Sequence, residues 1–175
     1  DGATLAGNVI FQNGQDGIEI HPEAQGTRIT GNQIYANGQL GIDLVGGTEN
    51  AAGITANDTD DPDTGANDRQ NFPILTGAAR NNTSGLTMVT GTLNSNPSTE
   101  FRLELFLAVA DASGSGEGQV LLATQNITTN ANGDKSFTFA SGAWSLGMVL
   151  TATATVVTAG STSEFSANRT VVPGA

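Results

Sequence analysis

Residues 3–26 and 27–50 are two copies of one pattern, offset by 24 residues. Gly7 matches Gly31, Asn8 matches Asn32, Ile10 matches Ile34 and Phe11 matches Tyr35. The correspondence runs on through Asn13/Asn37, Gly14/Gly38, Gly17/Gly41, Ile18/Ile42 and Ile20/Leu44. A period in the twenties, with short apolar stretches, Gly turns and repeated Asn, is the pattern of a β-solenoid. One such coil cannot bury its own apolar face, so it needs neighbours above and below. Here there are two coils, and then the sequence changes character.

Within each coil, Asn8–Phe11 and Gly17–Ile20 read as short strands. Ile18 and Ile20 flank Glu19, and Ile42 and Leu44 flank Asp43. This alternation turns the aliphatics inward and the carboxylates outward. Stacked strands lie about 4.8 Å apart. Ile18 is therefore expected over Ile42, Phe11 over Tyr35 and Asn13 over Asn37.

We divide the chain into coils at 1–45, an acidic linker or loop at 46–71, and a third segment at 72–175. The middle segment has almost no apolar periodicity. It carries Glu49, Asp58, Asp60, Asp61, Asp63 and Asp68 before a single Arg69. A loop this long is usually functional or disordered. From Phe72 onward, strands and turns alternate about every ten residues. Expected strands are Pro73–Gly77, Leu86–Leu93, Glu100–Val109, Gln119–Thr128, Lys135–Phe139, Met148–Val157 and Ser163–Val172. Phe101, Leu103, Leu105 and Leu107 alternate with Arg102, Glu104 and Phe106, which places the second set on an outer face. Asn132-Gly133 reads as a hairpin turn, and Ser113–Gly118 as a flexible loop. Seven such strands indicate an Ig-like antiparallel β-sandwich. The Cys pair and core Trp of antibody domains are not reproduced, since Trp144 falls in a connection. The expected fold class is all-β: a short right-handed parallel β-helix of two coils, then the sandwich.

Six Lys and Arg against seventeen Asp and Glu give a net charge of −11. Such a surface repels nucleic acid and anionic lipid, and it attracts divalent cations. Cysteine is absent, which removes disulfides, thiolate metal sites and thiol nucleophiles. No window of about 18 apolar residues is long enough for a membrane span. No signal peptide is visible at Asp1, the start expected of a mature or trimmed product. The expected setting is secreted and bacterial.

The repeat N-x-I-(F/Y)-x-N-G-x-x-G-I-x-(I/L), at residues 8–20 and 32–44, resembles bacterial right-handed parallel β-helix proteins, the pectate-lyase-like solenoids. The stretch GIDLVGG…NDTDDPDTGANDRQNFPIL is similar to a junction in large secreted β-helix surface proteins. There it leads into a C-terminal Ig-like module. TGTLNS…FRLELF, ITTNANGDKSFTF and TATATVV…STSEFS resemble that module. The resemblance implies an extracellular or cell-surface setting and implies no activity, because this scaffold hosts enzymes and adhesins alike.

Glu19 and Asp43 share a column on adjacent coils, and His21 follows Glu19. Lyases and hydrolases that the fold resembles use carboxylates so arranged to bind Ca²⁺ or activate water, and His21 could serve as a base. A substrate groove, however, needs more coils and a basic or aromatic wall. Two solvated acids and a surface histidine are the simpler reading. Asp58, Asp60, Asp61 and Asp63 could ligate Ca²⁺, although counting from Asp58 the fifth position is Pro62, against an EF-hand register. N-x-S/T sequons at Asn57, Asn81, Asn82, Asn126 and Asn168 carry no information unless the host glycosylates. No Ser-His-Asp elbow, P-loop or dinucleotide fingerprint is present.

These features point to a non-enzymatic extracellular structural protein. It would self-associate through solenoid ends and strand edges into a homo-oligomer, filament or surface layer. The expected interface is the coil-one end, with Ile10, Phe11, Ile18 and Ile20, and nothing before residue 3 offers a polar cap. A carbohydrate-active or carbohydrate-binding β-helix fragment, with a polysaccharide partner, is one alternative. The C-terminal module of a larger surface adhesin is the other.

Overall fold

The apolar stretches of each repeat become short strands stacked directly on their counterparts. The computed structural model describes residues 2–109 and 113–174. Asp1 and Ala175, the outer ends of the expected first and third segments, lie outside them. Coil one (residues 3–26) contributes β1 (Thr4–Ala6), β2 (Val9–Phe11) and β3 (Ile18–Ile20). Coil two (residues 27–50) contributes β4 (Arg28–Thr30), β5 (Gln33–Tyr35) and β6 (Ile42–Leu44). The pairs β1–β4, β2–β5 and β3–β6 are all parallel, with Thr4 opposite Arg28, Ile10 opposite Ile34 and Ile18 opposite Ile42. The register thus follows the repeat. Strands β1 and β4 go beyond the two per coil expected. Each turns only one aliphatic inward, Leu5 or Ile29, which is too little alternation to read. Phe11 stacks on Tyr35 with centroids 5.3 Å apart and planes 12° apart.

Eight further strands follow: β7 (Ile74–Arg80), β8 (Thr87–Asn94), β9 (Glu100–Val109), β10 (Glu117–Thr128), β11 (Asp134–Gly142), β12 (Val149–Val156), β13 (Arg169–Thr170) and β14 (Val172–Pro173). They form two four-stranded sheets, ordered β10-β9-β12-β13 and β11-β8-β7-β14. Pairing is antiparallel except where β14 joins β7 in parallel. A sandwich-like core lies between them, built from Val89, Leu93, Phe101, Leu103, Leu105 and Phe139 among others. Apart from a short 3₁₀ turn at Ala66–Arg69, the described residues are strand, turn and loop, so the chain is all-β.

Four expectations change. Asn132-Gly133 does form a turn, with Gly133 at φ 72°. The strands that it joins, β10 and β11, belong to different sheets, so it is no hairpin. Ser163–Val172 is not one strand. Ser163 and Ser166 lie along β12, where their hydroxyls accept the Ala154 and Ala152 amides and their own amides donate back to the same two residues' carbonyls. Side-chain bonding of this kind competes with a regular ladder. Trp144 does lie in a connection, yet it is buried in the sandwich core. Its carbonyl accepts Thr87 Oγ1 at 2.6 Å and Arg80 at 2.8 Å.

The fourth change matters most. The outer face of β9 is not solvated, because coil two packs on it. Phe106 meets Phe165 edge-on, with centroids 5.5 Å apart, and the two join Ile29, Ile34, Ile42 and Leu44 in a second core. The approach is close enough to require glycine. A Cβ on Gly118 would lie 2.7 Å from Phe165 Cε1 and 2.8 Å from Phe106 Cγ.

Candidate functional site: the closed edge of coil two

A parallel strand has backbone N–H and C=O groups on both edges. One edge of coil two pairs with coil one. On the other edge, five backbone amides donate to side chains. Thr27 donates to Asn67 Oδ1 at 2.7 Å, Ile29 to Thr162 Oγ1 at 2.9 Å, and Gly31 to Glu104 Oε2 at 2.8 Å. Asn37 donates to Glu117 Oε2 at 3.0 Å, and Leu44 to Glu164 Oε1 at 3.1 Å. No third coil pairs there. Side-chain oxygens stand where its carbonyls would be.

Glu117 reproduces a rung of the stack. Between the coils, Asn13 gives its backbone N–H and its Nδ2 to Asn37 Oδ1, at 3.1 and 2.8 Å. One level on, Asn37 gives the same two donors to the Glu117 carboxylate, at 3.0 and 2.6 Å. A carboxyl group has two acceptor oxygens, and Glu117 takes the two Asn37 donors where a single amide oxygen takes the Asn13 pair.

The three acids are held inside the protein, at 0% (Glu104), 1% (Glu117) and 2% (Glu164) exposure. Glu104 is fixed through Oε1 by Arg102 Nε and Nη2, at 2.9 and 2.8 Å. That leaves Oε2 for Gly31. Glu117 opens β10 in a segment expected to be a flexible loop. Glu164 bridges two elements: Oε1 accepts Leu44 on β6, and Oε2 accepts Thr55 at 3.1 Å. Burial pushes its carboxyl up to about 8, against these two amides, which pull it down.

Part of the segment at 46–71 is buried and bonded to both of its neighbours. Asn67 sits at φ 45° and is fully enclosed. Its amide group donates to Thr27 O at 2.7 Å and Thr162 O at 3.0 Å, tying coil two to the sheets. Asp61 is 5% exposed, and its Oδ2 accepts Ser95 Oγ at 2.5 Å and the Asn71 amide at 3.2 Å. Gln70 Nε2 donates to the same Ser95 hydroxyl at 2.9 Å. Burial raises the Asp61 carboxyl to about 6. Asp58 is exposed, and burial, then Asp63, raises its carboxyl. Asp63 lies 3.8 Å from Arg69. Asp60 takes part through its backbone amide, which donates to Asn94 Oδ1 at 2.8 Å. Among the described residues no three acid or imidazole groups converge to hold a metal ion. Asp60 Oδ1 and Asp61 Oδ1 are buried without a hydrogen-bond partner.

Of the expected interface, Ile18 and Ile20 are buried, Ile10 is partly buried and Phe11 is 46% exposed. Glu19 and Asp43 are register partners, as their shared column requires. Glu19 lies 3.5 Å from His21, with both largely exposed. Asp43 is half-buried. Burial first, then Asp16, Glu49 and Glu19, lifts its carboxyl to about 6. It faces an open recess of about 510 Å³ that also holds Asp16, Asn37 and Gln39. Neither a basic nor an aromatic side chain lines this recess.

The residues that close coil two, Glu104, Glu117, Glu164, Asn67 and Thr162, were not singled out from the sequence. The available signal was a lone acid inside an apolar stretch, as at Glu104 in FRLELF. No protein-family model matches the chain, and no curated protein matches it in sequence.

Proposed function

We propose that this chain is a non-enzymatic structural module of an extracellular surface protein. In this reading residues 3–50 are coils of a right-handed parallel β-helix, and the Ig-like pair of sheets terminates the stack. The observation that carries it is the edge of coil two, where Asn67, Glu104, Glu117, Thr162 and Glu164 take up five outward amides. A solenoid end left open is a template for further strands, and side chains that occupy its donors stop that growth. The stack has one closed end, so we prefer this terminal role to a head-to-tail filament.

The test is amide exchange on the full chain and on Glu117→Ala. The Asn37 amide should exchange faster in the variant, while Leu103 and Leu105 in the sandwich core keep their protection. Unchanged protection at Asn37 would remove the proposed role of Glu117. Calcium at the acidic segment is a second proposal, favoured by the unpartnered Asp60 and Asp61 oxygens. A native-state ligand stabilises by mass action, so chelation should lower the melting temperature. Identical melts with calcium and with chelator would dismiss it.

A further inference from the structure

The amide ladder has a direction. Asn8 donates both its backbone N–H and its Nδ2 to Asn32 Oδ1, at 2.9 and 3.0 Å. Asn13 does the same to Asn37 Oδ1. Both rungs accept from the coil before them; Asn37 also donates onward, whereas Asn32 Nδ2 returns to Leu5 O of coil one at 2.8 Å. At the far end the Asn37 donors are consumed by Glu117. At the near end, Asn8 Oδ1 and Asn13 Oδ1 accept nothing among the described residues. Their own N–H and Nδ2 groups point the other way, into coil two.

The backbone on this side is also unpaired, since β1, β2 and β3 have one partner each. The Gln33 amide bonds Asn8 O at 2.8 Å. In a parallel ladder alternate residues face opposite edges, so the N–H and C=O groups of Val9 and Phe11 face away from coil two. Tyr35 covers one face of the Phe11 ring.

We infer that the coil-one face is the receiving side of this ladder, and that its partner is a further parallel coil of the same Asn-bearing repeat. This rests on the reading of the chain as a solenoid terminus. The partner must bring a backbone N–H and a side-chain amide to each of Asn8 and Asn13, in the 24-residue register that coil one keeps with coil two. It must also bring a flat or aliphatic side chain over Phe11. A second copy of this chain does not meet those terms. Docked head to tail, it would offer coil-two donors already spent on Glu104, Glu117 and Glu164. Docked head to head, it would set acceptor against acceptor at Asn8 and Asn13.

The experiment compares the full chain with a fusion in which a copy of residues 3–26 precedes Ala3. Amide exchange at Val9 and Phe11 is read in both, and sedimentation is followed over a wide concentration range. The unfused chain should stay monomeric with fast exchange at Val9 and Phe11. In the fusion both amides should slow by about a hundredfold or more, because a paired strand amide exchanges only through local opening. A fusion with the added copies of Asn8 and Asn13 replaced by alanine should melt lower than the Asn-bearing fusion. Equally fast exchange at Val9 and Phe11 in the fusion would overturn the inference. So would protection of these amides in the unfused chain as concentration rises, which would make a second copy the occupant. Failure of the terminus reading shows elsewhere, at Asn37 in Glu117→Ala.

Discussion

Raising the pH from 6 to 9 should weaken this protein, and Glu164 is the reason. Its carboxyl lies at about 8 in the fold, raised from 4.5 by burial. A carboxyl raised on folding binds its proton more tightly in the native state. The resulting stability is therefore largest at acidic pH and is lost as pH rises towards the folded value. Between pH 6 and 8 the unfolded chain is already ionised at this site while the native chain holds its proton. Two pH units at about 1.4 kcal/mol each give a loss of roughly 2–3 kcal/mol by pH 9. Asp43 and Asp61, at about 6, have largely finished titrating by pH 7, so they add little above it. Urea unfolding at pH 6, 7, 8 and 9 reads the slope, and exchange at the Leu44 and Thr55 amides locates it. In Glu164→Gln the decline from pH 7 to 9 should vanish. The variant should start about 1–3 kcal/mol lower at pH 6, because one amide nitrogen cannot accept a backbone N–H. Wild-type stability that is flat or rising between pH 7 and 9 would refute the reasoning.

Asp61→Asn should flatten the acidic side of the profile. The wild type should lose about 2 kcal/mol at this site between pH 4 and 7 as the buried carboxyl ionises, and Asp43 and Glu164 should supply the slope that remains in urea titrations of the variant. Asn67→Ala should cost at least about 3 kcal/mol. It strands the Thr27 amide and two carbonyls and leaves alanine at a left-handed φ, so a loss below about 1 kcal/mol in denaturant melts would show that water substitutes. Gly118→Ala should cost about 1–3 kcal/mol through overpacking against Phe106 and Phe165, and an unshifted thermal melt would contradict the close approach. Incubation with pectin-like acidic polysaccharides should release no unsaturated products, since a chain of net charge −11 repels a polyanion. Product formation that disappears in Asp43→Asn would reverse that view.

The coil register was legible because it is written twice. A 24-residue identity fixes Ile10 over Ile34 and Asn13 over Asn37 with no further information. Long alternating strands were legible for a similar reason, and β9 has its expected bounds. The closed edge was not legible, and Glu104 shows why. Alternation assigns Glu104 to the face opposite Leu103 and Leu105, and that assignment is right. It cannot say whether this face meets water or another element. Its burial depends on coil two, which is 73 residues away in sequence at Gly31. Ser163 and Ser166 mislead in a related way. Their hydroxyls bond β12 where a strand backbone would, so a strand-like composition gives no strand. Composition does not show which residues of the acidic segment are enclosed: Asp61 and Asn67 have the composition of loop residues, and both are buried and bonded.

Closing a strand edge with carboxylates has a consequence that closing it with another strand would not. A covering strand presents a new unpaired edge of its own, and the problem moves outward by about 4.8 Å. A carboxyl oxygen accepts without presenting a new strand edge, so the hydrogen-bond ladder ends where it is met. Each of Glu104, Glu117 and Glu164 is anchored in or beside the sheet that packs on coil two, which holds the acceptors against that edge. Desolvating three acids is expensive unless each is well bonded. Glu104 has Arg102, and Glu117 takes both donors of Asn37. Glu164 accepts two backbone amides, and burial, with Asp43 nearby, still pushes its carboxyl up to about 8. The contact most exposed to alkaline pH is thus the one between β6 and Thr55, so unfolding of the coils at high pH should begin there.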